Sequence, residues 1–214
     1  GDSGVGNYQL LVDPSDTYRY YVEWGDGVTS ATTSSSSLTH SYPSGGTYNI
    51  KVYGRFDTIY NNSSAEGEKI KDIIGWGNVK WRSFHGSFDG CSNLSGMTTN
   101  PPNINNISNH NDNGQTTFSR LFLGCDKFNS DISSWNVSKV TEMGNMFNGA
   151  TNFNQDIGSW DVSSVTNMAS MFNGATNFNN SGSTTISGWT TSTCTNMSAM
   201  FRNSLFNQDI GSWD

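Results

Sequence analysis

The chain has little of what many folds depend on. Its 214 residues include 3 cysteines, 4 prolines and 3 histidines, and only 14% of the residues are charged. Cysteines so few and odd in number exclude a disulfide-stapled scaffold. His40, His85 and His110 lie in unlike contexts far apart in sequence, which gives no zinc spacing. There are 11 basic residues against 18 acidic ones, a net charge of −7, and the Lys and Arg do not cluster, so nucleic acid is not an expected partner. No apolar run approaches the ~20 residues of a membrane helix, and none is expected to insert within this segment. Nor does any nucleophile elbow or similar context mark a catalytic group, so no catalytic residue, no metal centre and no enzyme is expected. Apolar residues are scarce at 33%, yet 13% of the chain is aromatic, which argues against disorder.

What the chain has instead is repetition. FNSDISSWNVSKVTEMGNMFNGATN, beginning at Phe128, is followed without a gap by FNQDIGSWDVSSVTNMASMFNGATN, beginning at Phe153. A short unit repeated head to tail is the sequence mark of a solenoid, in which each coil buries its neighbour's apolar face. A third copy starts at Phe178, gains residues around 181–185 and regains register at Ile186, Trp189, Cys194, Met197, Met200 and Phe201. A fourth opens at Phe206 and stops in mid-motif, and the sequence begins without Met, so we expect a piece of a longer protein. Upstream, Phe118, Leu121 and Phe122 match Met143, Met146 and Phe147, and Phe84 and Phe88 match them again. The array is expected to span 69–214, with one coil stretched by an insertion at 97–114.

Within a unit the periods change. Val140, Met143, Met146 and Phe147, like Val165, Met168, Met171 and Phe172, step by three and four, which predicts an apolar helical face closed by Gly149 or Gly174. The half at 153–160 predicts a short strand, stacked in a parallel ladder. Cys91 and Cys125 share one slot of the unit, so their Cα atoms fall within disulfide range if coils stack at ~4.8 Å. Two buried small residues are the alternative, and the preferred one, since free cysteine packs as a small hydrophobe. Trp135, Trp160, Trp189 and Trp213 recur in register and are expected to pack, whereas Trp81 and Tyr60 lie off that register and are freer to make contacts.

Residues 1–57 differ in character. RYYVEW at 19–24 predicts a strand entering the turn Gly25-Asp26-Gly27, and YNIKV at 48–52 predicts a second, with a Ser/Thr-rich loop at 29–37 between them. A small all-β domain, most simply a sandwich, is expected at 1–57, with a junction at 58–68. Asp26 is expected to bond within its own turn.

Two resemblances add to this. Trp24-Gly25-Asp26-Gly27, Thr39-His40-Ser41-Tyr42 and Gly46-Thr47-Tyr48 follow the pattern of polycystic-kidney-disease (PKD) type domains, and the segment resembles them. That implies an immunoglobulin-like sandwich used as a spacer or contact module outside cells. The remainder, best seen in 153–172, resembles BspA-type leucine-rich-repeat surface proteins whose repeats read FNQDIxxWDVSxVTxMxxMF. Together they imply a mixed fold: an immunoglobulin/PKD-like β-sandwich followed by a leucine-rich-repeat-like α/β solenoid with a parallel strand ladder. The resemblance also implies exposure on a cell or virion surface and a role in adhesion or display.

The recurring polar slots are the candidate site. Asn129, Asn154, Asn179 and Asn207 share one slot, and Asp131, Asp156 and Asp209 share another, so stacking would line them into a strip. Such a strip has two readings, a glycan-binding or calcium-binding face, hard oxygen ligands suiting calcium, or side chains bonded to the turns of each coil. No other cofactor is implied. Phe206, Ile210 and Trp213 form a candidate assembly edge in the last coil. The function expected is therefore a non-catalytic, extracellular adhesion or recognition module within a larger protein, whose partners are a cell-surface protein or glycan or a second copy of itself. A virion fibre or decoration protein and a structural stalk or filament subunit are the alternatives.

Overall fold

The computed structural model describes residues 6–13, 18–34, 36–56, 58–79, 81, 83–98, 102 and 116–214. Most of the insertion expected at 97–114, and His110 with it, lies outside them. Strands and turns dominate, with three short 3-10 helices (Gly67–Lys69, Asn180–Gly182 and Thr184–Gly188) and no α-helix or closed barrel among the described residues.

In the first part of the chain the Tyr/Val alternation folds as its period predicts. Strand β1 (Asn7–Leu10) pairs antiparallel with β4 (Leu38–Ser41), and β2 (Arg19–Glu23) pairs antiparallel with β3 (Thr29–Thr32) on one side and β5 (Lys51–Arg55) on the other. Tyr20 and Val22 point inward to join Tyr8, Leu10, Tyr18, Trp24 and Phe56. Two expectations shift. The loop expected at 29–37 opens with β3, because Thr is a good strand former and its Ser30 and Thr32 side chains are half-buried against β2. The strand expected at 48–52 begins only at Lys51, since Tyr48 is drawn aside to stack on Tyr42 at 4.0 Å.

From Thr58 onward successive units lie on one another. Residues 25 apart are bonded directly, as in Asn154 N–H to Asn129 Oδ1 at 2.9 Å. Parallel pairing exists, but as single bridges at Thr117, Glu142, Asn167 and Asn196 rather than as a ladder of strands at 153–160. That half of the unit is irregular because Asp156 Oδ1 accepts the Gly158 N–H at 3.0 Å and bends the chain. Among the described residues only β6 (Asp72–Ile73) and β7 (Gly96–Met97) form a longer parallel pair.

The expected helices are not helices. Met146 N–H bonds to Met143 C=O, Asn148 to Asn145 and Ala150 to Phe147, each a turn closed over three residues. The intervening N–H groups of Met143, Asn145, Phe147 and Gly149 turn outward to the carbonyls of Asn167, Ala169, Met171 and Asn173 at 2.8 to 2.9 Å. A helix would spend all these donors on itself. Asn145 (φ 57°) and Gly149 (φ 72°) are left-handed, as a chain of turns requires and a helix forbids. Steps of three and four bury the same side chains in either arrangement, which is why the apolar pattern misleads.

These forward bonds join into columns. The N–H of Gly86 meets Ser119 C=O, Arg120 meets Gly144, Asn145 meets Ala169 and Ser170 meets Ser198. Three parallel columns run beside this one, through Phe88, through Gly90 and through Phe118. Inside, Phe122, Phe147, Phe172 and Phe201 stack at 5.5 to 5.6 Å, flanked by the column Phe128, Phe153, Phe178 and Phe206 at 5.8 to 6.0 Å. Each buried ring contributes roughly 1.5–3 kcal/mol. The tryptophans pack as expected and also tie coils together: Trp160, Trp189 and Trp213 donate Nε1–H to the carbonyls of Ile132, Ile157 and Ile186. Trp81, expected to be free for contacts, is instead buried between Trp76, Phe84 and Phe56.

The turn chain yields a test by sign. Ala199 sits at φ 55°, in the slot of Asn145. In a helix Ala199→Gly would cost about 1 kcal/mol, but at a left-handed position it is expected to stabilise the chain by a similar amount, about 1 kcal/mol, in chemical denaturation.

The segment joining the two parts closes the first coil. Asn61 Nδ2 donates to Ser87 C=O at 2.6 Å, Asn62 N–H to Gly86 C=O and Ser63 N–H to Asp89 C=O. Asp89 is fully buried; its carboxylate accepts from Ser63 Oγ at 2.5 Å and from Arg120 Nε and Nη2 at 2.8 and 2.6 Å.

Candidate functional site

The asparagine slot is brought together as a ladder. Asn129 Oδ1 accepts the Asn154 N–H, Asn154 Oδ1 accepts the Asn179 N–H, and Asn179 Oδ1 accepts the Asn207 N–H, each at 2.9 Å. Gln155 and Gln208 reinforce it by donating Nε2–H to Asn129 and Asn179. The amide oxygens therefore face the next coil rather than a ligand, and what remains accessible is their rims.

The aspartate slot is less uniform. Asp131, Asp156 and Asp209 each accept the N–H two residues on, from Ser133, Gly158 and Gly211, at 2.9 to 3.0 Å. The hydrogen bond from the Ser133 backbone holds the Asp131 carboxyl below the usual carboxylate range. At Asp156 burial pushes upward, yet the donors Gly158, Thr185, Ser183 and Asn180 prevail and its pKa is lowered. Thr185 Oγ1 approaches Asp156 Oδ1 at 2.7 Å. An oxygen already ringed by N–H and O–H donors suits a turn better than a cation. Among the described residues no cluster of three or more His, Cys, Asp and Glu could hold a metal ion.

Asp131 and Asp156 line one shallow depression of about 400 Å³ with Ser133, Gln155, Ser159 and Thr185. Asp209 is not part of it. The extra residues at 181–185 come between, and Asn180 anchors them: fully buried, it accepts the Ile157 N–H at 2.9 Å and donates to Asp156 Oδ1, Ser183 C=O and Thr185 Oγ1. Sequence reasoning missed Asn180; the doubled Asn179-Asn180 at the point where the copy lengthens is the signal it left.

The candidate edge is also placed. Phe206, Ile210 and Trp213 are half-buried in the last coil. Just before them, Met197, Ala199, Phe201 and Asn203 hold the slots whose N–H groups donate forward in the preceding coil, at Met168, Ser170, Phe172 and Gly174. Leu205 beside them is 64% exposed.

Cys91 and Cys125 are both buried free thiols, so the disulfide reading is not the one adopted. Cys125 Sγ–H donates to Phe88 C=O at 3.0 Å, and burial pushes the Cys91 thiol up to about 12. Asp26 bonds within its turn as expected, accepting the Val28 N–H at 3.0 Å. It also meets His40 Nε2 at 2.7 Å, and that imidazole stacks on Trp24 with ring centroids 5.1 Å apart. The bond to His40 holds the Asp26 carboxyl below its ordinary value. A lowered carboxyl contributes stability above the unfolded value near ~3.9 and loses it as pH falls through the folded value. Asp26→Asn is thus expected to lower the melting temperature at pH 7, with a deficit relative to the wild type that shrinks below about pH 4; a thermal melt series across pH measures it.

The array's register and its Phe, Trp and Met slots decide the relationship. Residues 84–213 match the family described as Mycoplasma protein of unknown function, DUF285. The chain belongs to the DUF285 family. That family is associated with BspA-like surface repeat proteins. The match begins at Phe84, so strands β1 to β6 lie outside the DUF285 region. No curated protein and no solved structure matches the chain. Among the described residues, no helix is long and apolar enough to cross a membrane.

Proposed function

We infer that this DUF285 chain is a non-catalytic recognition or adhesion module displayed outside the cell as part of a larger protein. In this reading the array is a leucine-rich-repeat-like solenoid and the β-strands before it are a PKD-like mount. The observation that carries the reading is the coil-on-coil register. It sets like side chains one above another on the outer surface, as with Asn152 and Asn177 or Asn136 and Asp161, all exposed. A surface repeated in this way favours multivalent contact, in which weak single contacts add up to strong attachment. The partner class is a cell-surface protein or glycan, met at the depression of Asp131, Gln155 and Asp156.

Beads coated with the chain should adhere to a host-cell layer or glycan array. Ser159→Arg, which fills the depression and leaves the asparagine ladder intact, should reduce adhesion several-fold. Undiminished adhesion would move the contact elsewhere, and no adhesion to any surface would remove the reading.

A further inference from the structure

Sheet β3-β2-β5 has an outer face that the core does not use. Its register pairs Arg19 with Arg55, Tyr21 with Tyr53 and Glu23 with Lys51, and these six alternate with the inward Tyr20 and Val22. Tyr21 and Tyr53 are 43% and 37% exposed, and they stack with ring centroids 4.7 Å apart and planes 8° apart. Beside Tyr21 on β3 stands Ala31, too small to cover the ring's other face. Glu23 is occupied locally, accepting from Tyr53 Oη at 3.2 Å and lying 3.6 Å from Lys51 Nζ. Arg19 is exposed one step along the same face.

We propose that this face binds an anionic sugar, the Tyr21–Tyr53 pair stacking on the apolar side of a saccharide ring and Arg19 engaging its carboxylate or sulfate. A rigid tyrosine pair offers flat apolar area with polar tips. An Arg fork matches a planar anion in two parallel hydrogen bonds. Size separates a glycan from a folded partner. Five residues at ~3.3 Å and two strand spacings of ~4.8 Å give a face of roughly 160 Å². A stable protein interface needs ~800 Å² from each side, whereas a few linked sugars fit.

This site lies apart from the array's depression, and either can fail alone. Calorimetric titration of the full chain with tetragalacturonate, a heparin-derived tetrasaccharide, maltotetraose and a glutamate-rich peptide decides it. Expected is binding of the uronate, the sulfated sugar or both, whichever binds naming the anion's source. The neutral sugar and the peptide should be at least about tenfold weaker, since one lost charge-assisted contact is worth that much. Tyr21→Ala and Arg19→Gln should each weaken binding about tenfold, Tyr21→Trp should retain it, and Ser159→Arg on the array should leave it unchanged. If Tyr21→Ala fails to fold, Tyr21→Trp and Arg19→Gln carry the test. Equal binding of the neutral sugar or the peptide, no binding of either anionic sugar, or undiminished binding by Arg19→Gln overturns the proposal.

Discussion

Phe147→Ala should lower the free energy of unfolding by about 3–5 kcal/mol, the range for removing a fully buried aromatic ring. Phe147 is wholly enclosed, stacked between Phe122 at 5.6 Å and Phe172 at 5.5 Å, with Phe153 lying 3.9 Å across the coil. The space left by the ring cannot collapse easily, because the coils above and below are held apart by the backbone columns. Stability in a stacked array is a sum of units and nearest-neighbour interfaces, so the loss should uncouple the coils on either side. Hydrogen exchange should then show the N–H groups of Phe147 and Gly149 opening early. Phe201→Ala is the comparison: its ring is half-buried and stacks in its column on Phe172, and it should cost clearly less. Equal costs for both would mean that stacking from two sides is not what stabilises the array.

Arg120→Met should cost about 3 kcal/mol, toward the low end for breaking a buried ion pair because the Arg120 side chain is 39% exposed. Its guanidinium is the cationic partner of the fully buried Asp89 carboxylate, and Ser63 Oγ alone cannot replace it. Removing the cation leaves a charge without compensation, which is far worse than removing both. Adding Asp89→Asn to Arg120→Met should therefore restore part of the loss in denaturant unfolding. A loss below about 1 kcal/mol for Arg120→Met alone would show that solvent already compensates Asp89. The same pair links the first two coils to the closing segment at Ser63, so the variant should also release that segment to proteolysis.

Much of this arrangement was legible in the sequence, and the exceptions share a cause. Phe122, Phe128, Phe147 and Phe153 announced the stacking because large apolar residues at a fixed interval have one economical use. The same interval hid the turn chain. Whether Met143 and Met146 lie on a helix or on successive turns depends on where the N–H of Asn145 goes, and that is decided by a coil 25 residues away. The asparagine slot was visible, but its bonding to the next coil's backbone is a property of two units at once. Asn180 and the Asp89–Arg120 pair were hidden for the opposite reason, since each occurs where the repeat departs from itself. Tyr21 and Tyr53 were written into the alternation of β2 and β5, and only the cross-strand register shows that the two rings meet.

The backbone columns have an electrical consequence. Every peptide in them points its carbonyl toward the preceding coil and its N–H toward the following one, so the peptide dipoles add along the array as they do along a helix. The sense is reversed. A helix gathers positive charge at its N-terminal end, whereas in these four columns the N–H groups point toward the later coils. A chain with net charge −7 thus carries, in these columns, a backbone dipole whose positive pole is turned toward its later coils.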